Sequence, residues 1–280
     1  MSGNTNDVTV VVPCFNEEEG LPTLLARLRA MRTGRASNWQ FLFVDDGSTD
    51  DTFTALLCAA RDEPWVSVVR HHENRGLGAA LRTAFAQVDT PIVCTIDSDC
   101  TYPPERLPEL TALIEQGADI ATASAWHPTV SAEGDGGRLR LLLSRRVSGI
   151  YKQLIGQDVH TFTCLFRAYR RELLTHVTFR GDGFSAVAEL FLKAMLAGYI
   201  IREVPIPLEK RRFGESKLKV SDAVLAHAHL ITLTTLSVGA RRARRALRRS
   251  TGTAPAHLRP RATAVTPGGA SADARRTIED

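Results

Sequence analysis

Short apolar runs alternate along the first half of the chain with longer segments whose apolar residues recur every three to four positions. The runs at 8–12, 41–44, 66–69 and 92–96 are β-branched or aromatic and almost free of polar residues, the pattern of strands buried on both faces. Between them, Leu21, Leu24, Leu25, Leu28 and Met31, then Phe53, Leu56 and Leu57, then 79–87, fall at helical spacing. Strand and helix thus alternate with room only for short loops, which predicts a parallel sheet covered by helices. Glu17–Glu19 suit the positive start of the first helix, and Ser48 or Asp50 is placed to cap the second. Further on, Leu107, Leu110, Leu113 and Ile114 predict a helix after Pro103–Pro104, and 119–123 a further strand. A polar loop at 131–137, a basic amphipathic helix at 139–154, a helix at 184–197 and a proline-interrupted strand at 199–207 follow.

Composition changes this picture little. At 280 residues, 44% hydrophobic and 24% charged, the chain has the make-up of a globular protein with one large core. The net charge of +4 is concentrated in Arg241, Arg242, Arg244, Arg245, Arg248 and Arg249. Without that run the balance turns slightly negative, so there is no general case for nucleic acid. The segment 222–240 before it is apolar but carries His227, His229 and several threonines, too polar for a spanning helix. It reads either as an interfacial helix near anionic lipid or as a surface helix with a basic tail. Residues 250–280 have a disordered composition. Five scattered cysteines without a C-x-x-C pair fit reduced thiols, and Met1–Asp7 lacks a secretory leader, so a cytoplasmic location is expected.

The chemistry-bearing stretch is Asp97-Ser98-Asp99, at the exit of the apolar run 92–96. In an open α/β sheet, ligands bind beyond the carboxyl ends of the strands. Two aspartates there suit a hard divalent cation, Mg²⁺ or Mn²⁺, shared with the phosphates of a substrate. On this stretch alone, a solvated acidic loop is an equal reading. Gly76-Leu77-Gly78 lacks a third glycine and does not follow the first strand, so turn glycines fit better than a dinucleotide fingerprint.

Taken in order, Val11-Val12-Pro13-Cys14-Phe15-Asn16-Glu17, Val44-Asp45-Asp46-Gly47-Ser48, Arg75-Gly76-Leu77-Gly78 and Asp97-Ser98-Asp99 resemble the family-2 glycosyltransferases. The likeness continues through Pro103-Pro104-Glu105, Phe166-Arg167-Ala168-Tyr169-Arg170, Gly198-Tyr199, Glu203-Val204-Pro205-Ile206 and Arg211-Arg212-Phe213-Gly214-Glu215-Ser216-Lys217. It covers residues 8–220 and is strongest to the polyprenol-phosphate mannose or glucose synthases. The resemblance implies an α/β GT-A nucleotide-diphospho-sugar transferase fold over 1–220, a mixed, mostly parallel sheet flanked by helices. An amphipathic helix with an Arg-rich end (221–249) and a disordered tail (250–280) would follow.

The resemblance also implies an inverting, metal-dependent transfer from a nucleotide-diphosphate sugar. Pro13, Phe15, Asn16, Glu17, Asp45, Asp46 and Asp97 would hold the nucleotide, and Asp97 and Asp99 the Mg²⁺ or Mn²⁺, with Asp99 the direct ligand. Arg211, Ser216 and Lys217 would meet phosphate charge. Arg140 and Ser144, four apart on a predicted helix, match the family's acceptor-phosphate helix, with Arg145 and Arg146 adding charge. The implied acceptor is a polyprenyl phosphate, reached by peripheral contact with an anionic membrane surface on its cytoplasmic side.

A phosphate acceptor is already anionic and needs no general base. A hydroxyl or amine of a soluble acceptor would need one, and Glu189, with Asp182 second, is the candidate by position. That alternative is raised by a departure from the family pattern. Ser124-Ala125-Trp126-His127 stands where a Gly-Ser/Thr-Arg-Tyr run is usual, so an arginine is absent whose charge His127 replaces only in part. His160–Leu165 replaces a small polar stretch, and Ser98 the commoner alanine. The donor base and sugar stay open; the intact acid pair argues against a non-catalytic binding protein.

Overall fold

The structure, a computed structural model, describes residues 7–33, 36–130, 138–210 and 220–250; the side chains of 138–141, 220–223 and 242–250 are not described. The expected loop at 131–137 and tail beyond 250 lie outside these residues. Seven strands form one sheet in the order β3-β2-β1-β4-β6-β5-β7. The half predicted from the alternating pattern is parallel: β1 (Val8–Cys14), β2 (Gln40–Asp45), β3 (Val66–Arg70) and β4 (Ile92–Thr95). Their crossovers are α1 (Leu21–Arg32), α2 (Thr52–Asp62) and α3 (Leu77–Phe85).

Burial explains the uninterrupted apolar runs. Val10, Val12, Phe41 and Phe43 face a core that takes in Leu24, Leu28 and Leu56, whereas Val11, Leu42, Val44 and Val93 face a second core with Leu81 and Ala84. With both faces covered there is no solvent side to demand polar alternation. Because β2 and β4 lie on opposite sides of β1, the chain order reverses there, and the crevice beyond these strand ends is where an α/β sheet takes its ligands.

The second half was less visible in the pattern. β5 (Ile120–Ser124) and β7 (Ile201–Pro205) pair in parallel near the predicted positions. Between β4 and β5 the sheet inserts β6 (Arg167–Arg170), antiparallel to both, from a motif whose arginines hide a strand. Arg167 is fully buried and donates to Thr122 Oγ1 (3.1 Å) and to the carbonyls of Val187 (2.9 Å) and Phe162 (2.8 Å), with its guanidinium 3.9 Å from the Phe191 ring centre. α4 (Leu107–Glu115), α5 (Arg138–Ile155), α6 (Arg171–His176) and α7 (Ser185–Ala197) complete the layers.

α8 (Val220–Ser250) begins at the expected boundary near 220. The compact unit runs through Gly239, and Leu230 and Thr234 are buried in it, so the first part of α8 belongs with the sheet; a second unit begins at Ala240. Among the described residues no helix is long and apolar enough to cross a membrane.

Two capping expectations need correction. α1 starts at Leu21 with no acid in its first turn; Glu17 lies one turn earlier, and its carbonyl accepts the Gly20 and Leu21 N–H groups, both at 3.1 Å. Ahead of α2 the residue at the cap is Asp51, while Asp50 Oδ1 accepts the Thr52 N–H at 3.1 Å and Ser48 Oγ accepts from the Asn16 N–H at 2.9 Å.

Candidate active site

Loops meet beyond the carboxyl ends of β1, β2, β3 and β4, and side-chain oxygens accepting N–H bonds stitch the first three together. Asn16, in the left-handed region at φ 53°, accepts from the Thr49 N–H at 2.8 Å. Asp46 is buried: Oδ1 accepts from His71 Nδ1 (2.6 Å) and the Arg75 N–H (3.0 Å), and Oδ2 from the Gly76 N–H (2.7 Å). Asp45 is fully buried, accepts from the Ser48 N–H at 3.2 Å, and has Arg70 Nε 3.2 Å from Oδ2 without hydrogen-bond geometry.

These loops enclose a first chamber of about 350 Å³ with Pro13, Phe15, Glu17, Asp46, Asp97 and Asp99 in its wall. Six of the predicted nucleotide and metal residues are therefore brought together. Asn16 and Asp45 are not in that wall; they brace the loops behind it. The predicted turn glycines are structural as well. A Cβ on Gly76, at φ +90°, would lie 2.5 Å from the Asp182 carbonyl oxygen, and one on Gly78 would lie 2.0 Å from that of Gly181.

A second chamber of about 300 Å³ adjoins the first and shares Leu77, Asp97, Asp99, Leu165 and Phe184 with it. Its remaining wall comes from α5, the loop before β6, α8, Val187 of α7 and the segments after β4, β5 and β7. Trp126 Nε1 donates to Ser144 Oγ (3.3 Å), which lies 2.8 Å from Thr163 Oγ1. Leu143, Val147, Val224 and His227 complete an apolar side. Burial pushes the Tyr102 phenol well up and the Cys164 thiol to about 12, and it lowers the His227 imidazole, whose Nδ1 lies 3.0 Å from the Tyr151 hydroxyl. At neutral pH these groups are uncharged, so among the described lining residues charge is confined to Asp97 and Asp99.

Ser144 lies where an acceptor-facing helix residue was expected. Arg140 is one turn before it on α5 and its side chain is not described; Arg145 and Arg146 are exposed on the same helix. His127 is not in the chamber wall: its Nδ1 lies 2.8 Å from Thr129 Oγ1 and its ring packs edge-on to His160, 5.4 Å between centres. It does not replace the missing arginine there. The loop carrying Thr161 and Thr163 is held by Glu203, which accepts from the His160 N–H (3.0 Å), the Thr161 N–H (3.1 Å) and His160 Nδ1 (2.8 Å).

Glu189, expected as a base, is not in either wall. Its carboxylate accepts from the Gly181 N–H (2.9 Å) and the Arg180 N–H (3.2 Å) and pairs with Lys193 at 2.7 Å. Burial raises its pKa, but the Lys193 ammonium and these amides outweigh burial and hold it below the usual range, the opposite of a poised base. Asp182, the second candidate, pairs with Arg82.

Asp99 also borders a hollow with Arg27, Glu209 and Lys210. Arg27 bonds Glu105 (2.6 Å) and Glu209 (3.2 Å), and the Glu209 N–H donates to the Thr101 carbonyl (2.8 Å). This brings the chain to Asp99 just ahead of Arg211, but Arg211, Gly214, Ser216 and Lys217 lie outside the described residues. Asp99 Oδ1 accepts the Thr101 N–H at 2.9 Å. Two carboxylates on one cavity fit a divalent ion that draws its other oxygens from a diphosphate. No group of three His, Cys, Asp or Glu among the described residues could hold a metal by itself.

Sequence reasoning missed Phe184, Leu165 and Leu77 at the junction and His227 in the second chamber. Phe184 follows a Gly-Asp-Gly turn that marked a helix start only, and His227 in an apolar helix was the one visible signal.

A mixed, mostly parallel sheet flanked by helices is the GT-A architecture. Glucosyl-3-phosphoglycerate synthase from Mycobacterium tuberculosis, solved with Mn²⁺, UDP and glucosyl-3-phosphoglycerate, shares the fold, with a TM-score of 0.62 at 22% identity over 83% of this chain and 79% of that one. The family model for glycosyl transferase family 2 matches residues 9–178, and the chain belongs to that family of glycosyltransferases. It is 30% identical to the undecaprenyl-phosphate 4-deoxy-4-formamido-L-arabinose transferase of Yersinia enterocolitica, over 81% of this chain and 67% of that one. The enzyme of that name from Pectobacterium carotovorum is also 30% identical, over 78% of this chain and 64% of its own length. The chain thus spans about two thirds of these relatives.

Proposed function

We propose that this glycosyltransferase moves a sugar, with inversion, from a nucleotide-diphosphate donor to a polyprenyl phosphate. The observation that carries the reading is the meeting of a polar and an apolar chamber at one pair of carboxylates, Asp97 and Asp99. The first chamber takes the donor, with Pro13, Phe15 and Glu17 around the nucleoside. Asp97 and Asp99 would hold Mg²⁺ or Mn²⁺ on the diphosphate, where the ion neutralises charge on the departing group. The second chamber takes the acceptor. Ser144 would meet its phosphate, with Arg140 one turn earlier on α5 assigned to the same group, and Arg211, Ser216 and Lys217 are assigned to phosphate charge. Holding the acceptor oxygen behind the anomeric carbon supplies several kcal/mol of barrier lowering by positioning.

Two features favour the lipid phosphate. The chamber's apolar wall suits an isoprenoid chain, and the relatives' names supply the same acceptor class. Besides, α8 exposes Leu225, Leu233 and Leu236 on the helix whose Val224 and His227 line the chamber, which supports peripheral contact with an anionic membrane surface on its cytoplasmic side. The test is donor consumption with Mn²⁺, using UDP-glucose, UDP-N-acetylglucosamine and GDP-mannose, with and without a short polyprenyl phosphate. Turnover that requires the lipid phosphate supports the reading and names the donor.

A second reading, transfer to a hydroxyl of a soluble acceptor, is favoured by the neutral Trp126–Ser144–Thr163 wall. The group in the chamber able to serve it as a base is His227, neutral at pH 7. Lipid-independent turnover lost in His227→Gln would decide for it.

A further inference from the structure

The wall shared by the two chambers is mostly apolar, although a sugar must occupy it. Of the five shared residues, Asp97 and Asp99 answer to the diphosphate, which leaves Leu77, Leu165 and Phe184 facing whatever lies between donor phosphate and acceptor. Phe184 is 45% exposed, the one exposed large aromatic ring among the described residues, while Val187, Leu190 and Phe191 behind it on α7 are buried. An uncovered aromatic in the wall of both cavities is placed to contact a ligand.

The turn that presents it is fixed from two sides. The Gly78 N–H donates to the Asp182 carbonyl (2.6 Å), and Arg82 donates to the Gly181 carbonyl (2.8 Å). From α7, Glu189 accepts the Gly181 and Arg180 N–H groups. Gly76 and Gly78 leave no room for a Cβ because this turn sits against them. So much local bonding ahead of an exposed ring is the arrangement of a preorganised contact surface.

We infer that Phe184 is the stacking surface for the transferred pyranose, packing against the sugar's C–H face while Leu77 and Leu165 close the sides. The inference rests on the donor reading above. It makes Phe184 the residue that selects for a sugar with one unobstructed apolar face, and Glu189 the positioning residue that holds its turn. Recognition by a ring face leaves individual hydroxyl configurations less strictly read than a hydrogen-bonded site would.

The experiment compares binding of a nucleoside diphosphate with that of its sugar conjugate, in Mn²⁺, to the full chain: UDP against UDP-glucose, and GDP against GDP-mannose. Phe184→Ala should weaken the preferred sugar conjugate by about tenfold while the parent diphosphate stays within about twofold, and Phe184→Tyr should bind as wild type. Glu189→Gln should show the same selective loss to a smaller degree. Unchanged diphosphate binding doubles as the check that each variant is folded. Equal affinity of Phe184→Ala and wild type for the sugar conjugate, or an equal loss for both ligands, overturns the inference and leaves the donor reading standing. A wild type that binds neither diphosphate overturns the donor reading and the inference with it.

Discussion

The two chambers are built by different means. The chamber proposed for the donor is made of loops that follow parallel strands, and Asp46 in its wall bonds within the protein, to the His71 ring and the Arg75 and Gly76 N–H groups. The chamber proposed for the acceptor draws on α5, α7, α8 and the segments after β4, before β6 and after β5 and β7, with contacts such as Trp126–Ser144 and Tyr151–His227 between elements, and with neutral groups and apolar surface. On that reading the first would receive charge through its carboxylates, and the second would select by shape. An enzyme that keeps one donor chemistry can therefore change acceptors by altering the second wall alone.

Variants that hit one side and spare the other test this division. The largest effect is expected at the point both share. Asp99→Ala should cost transfer about a thousandfold or more with an unchanged melting temperature, read by turnover and calorimetry together; full activity would remove the metal assignment. Arg140→Ala should lower turnover on a polyprenyl phosphate by about 10- to 100-fold without moving nucleoside diphosphate affinity. Equal losses in both would merge the two chambers into one site. On the donor side, Asp46→Ala leaves two amides and the His71 imidazole without their acceptor, and should destabilise the protein by about 2–4 kcal/mol in chemical denaturation, with donor affinity falling alongside.

The smallest effect belongs to His227. Burial lowers its folded pKa, so the unfolded chain binds the proton more readily. Stability is then full above the ordinary imidazole value and is lost as pH falls below it toward the folded value. His227→Phe should flatten the decline in melting temperature between about pH 7 and 5; an unchanged slope would place that titration elsewhere.

What could be read from the sequence divides along the same line. The parallel half was legible because strands covered on both faces leave an unbroken apolar run, and the acids at their ends stand out against it. β6 was not, since Arg167 satisfies itself with carbonyls and a ring in the core, which no periodicity announces. Asn16, Asp45 and Glu189 were legible as polar groups near a site, but not as to which way they bond. An oxygen that accepts from a nucleoside accepts equally well from a backbone amide, and only the fold decides. Phe184 escaped notice for the converse reason: apolar residues at helix starts are ordinary until one is found uncovered.

The stitching of the donor loops has a consequence for how a ligand arrives. Asn16, Asp45 and Asp46 hold the turns after β1 and β2 by bonds within the protein itself. Turns braced in this way should surrender little conformational entropy on association. Calorimetry of diphosphate binding should then give the small heat-capacity change of a ligand entering a finished cavity, without the large negative value that accompanies folding around a guest.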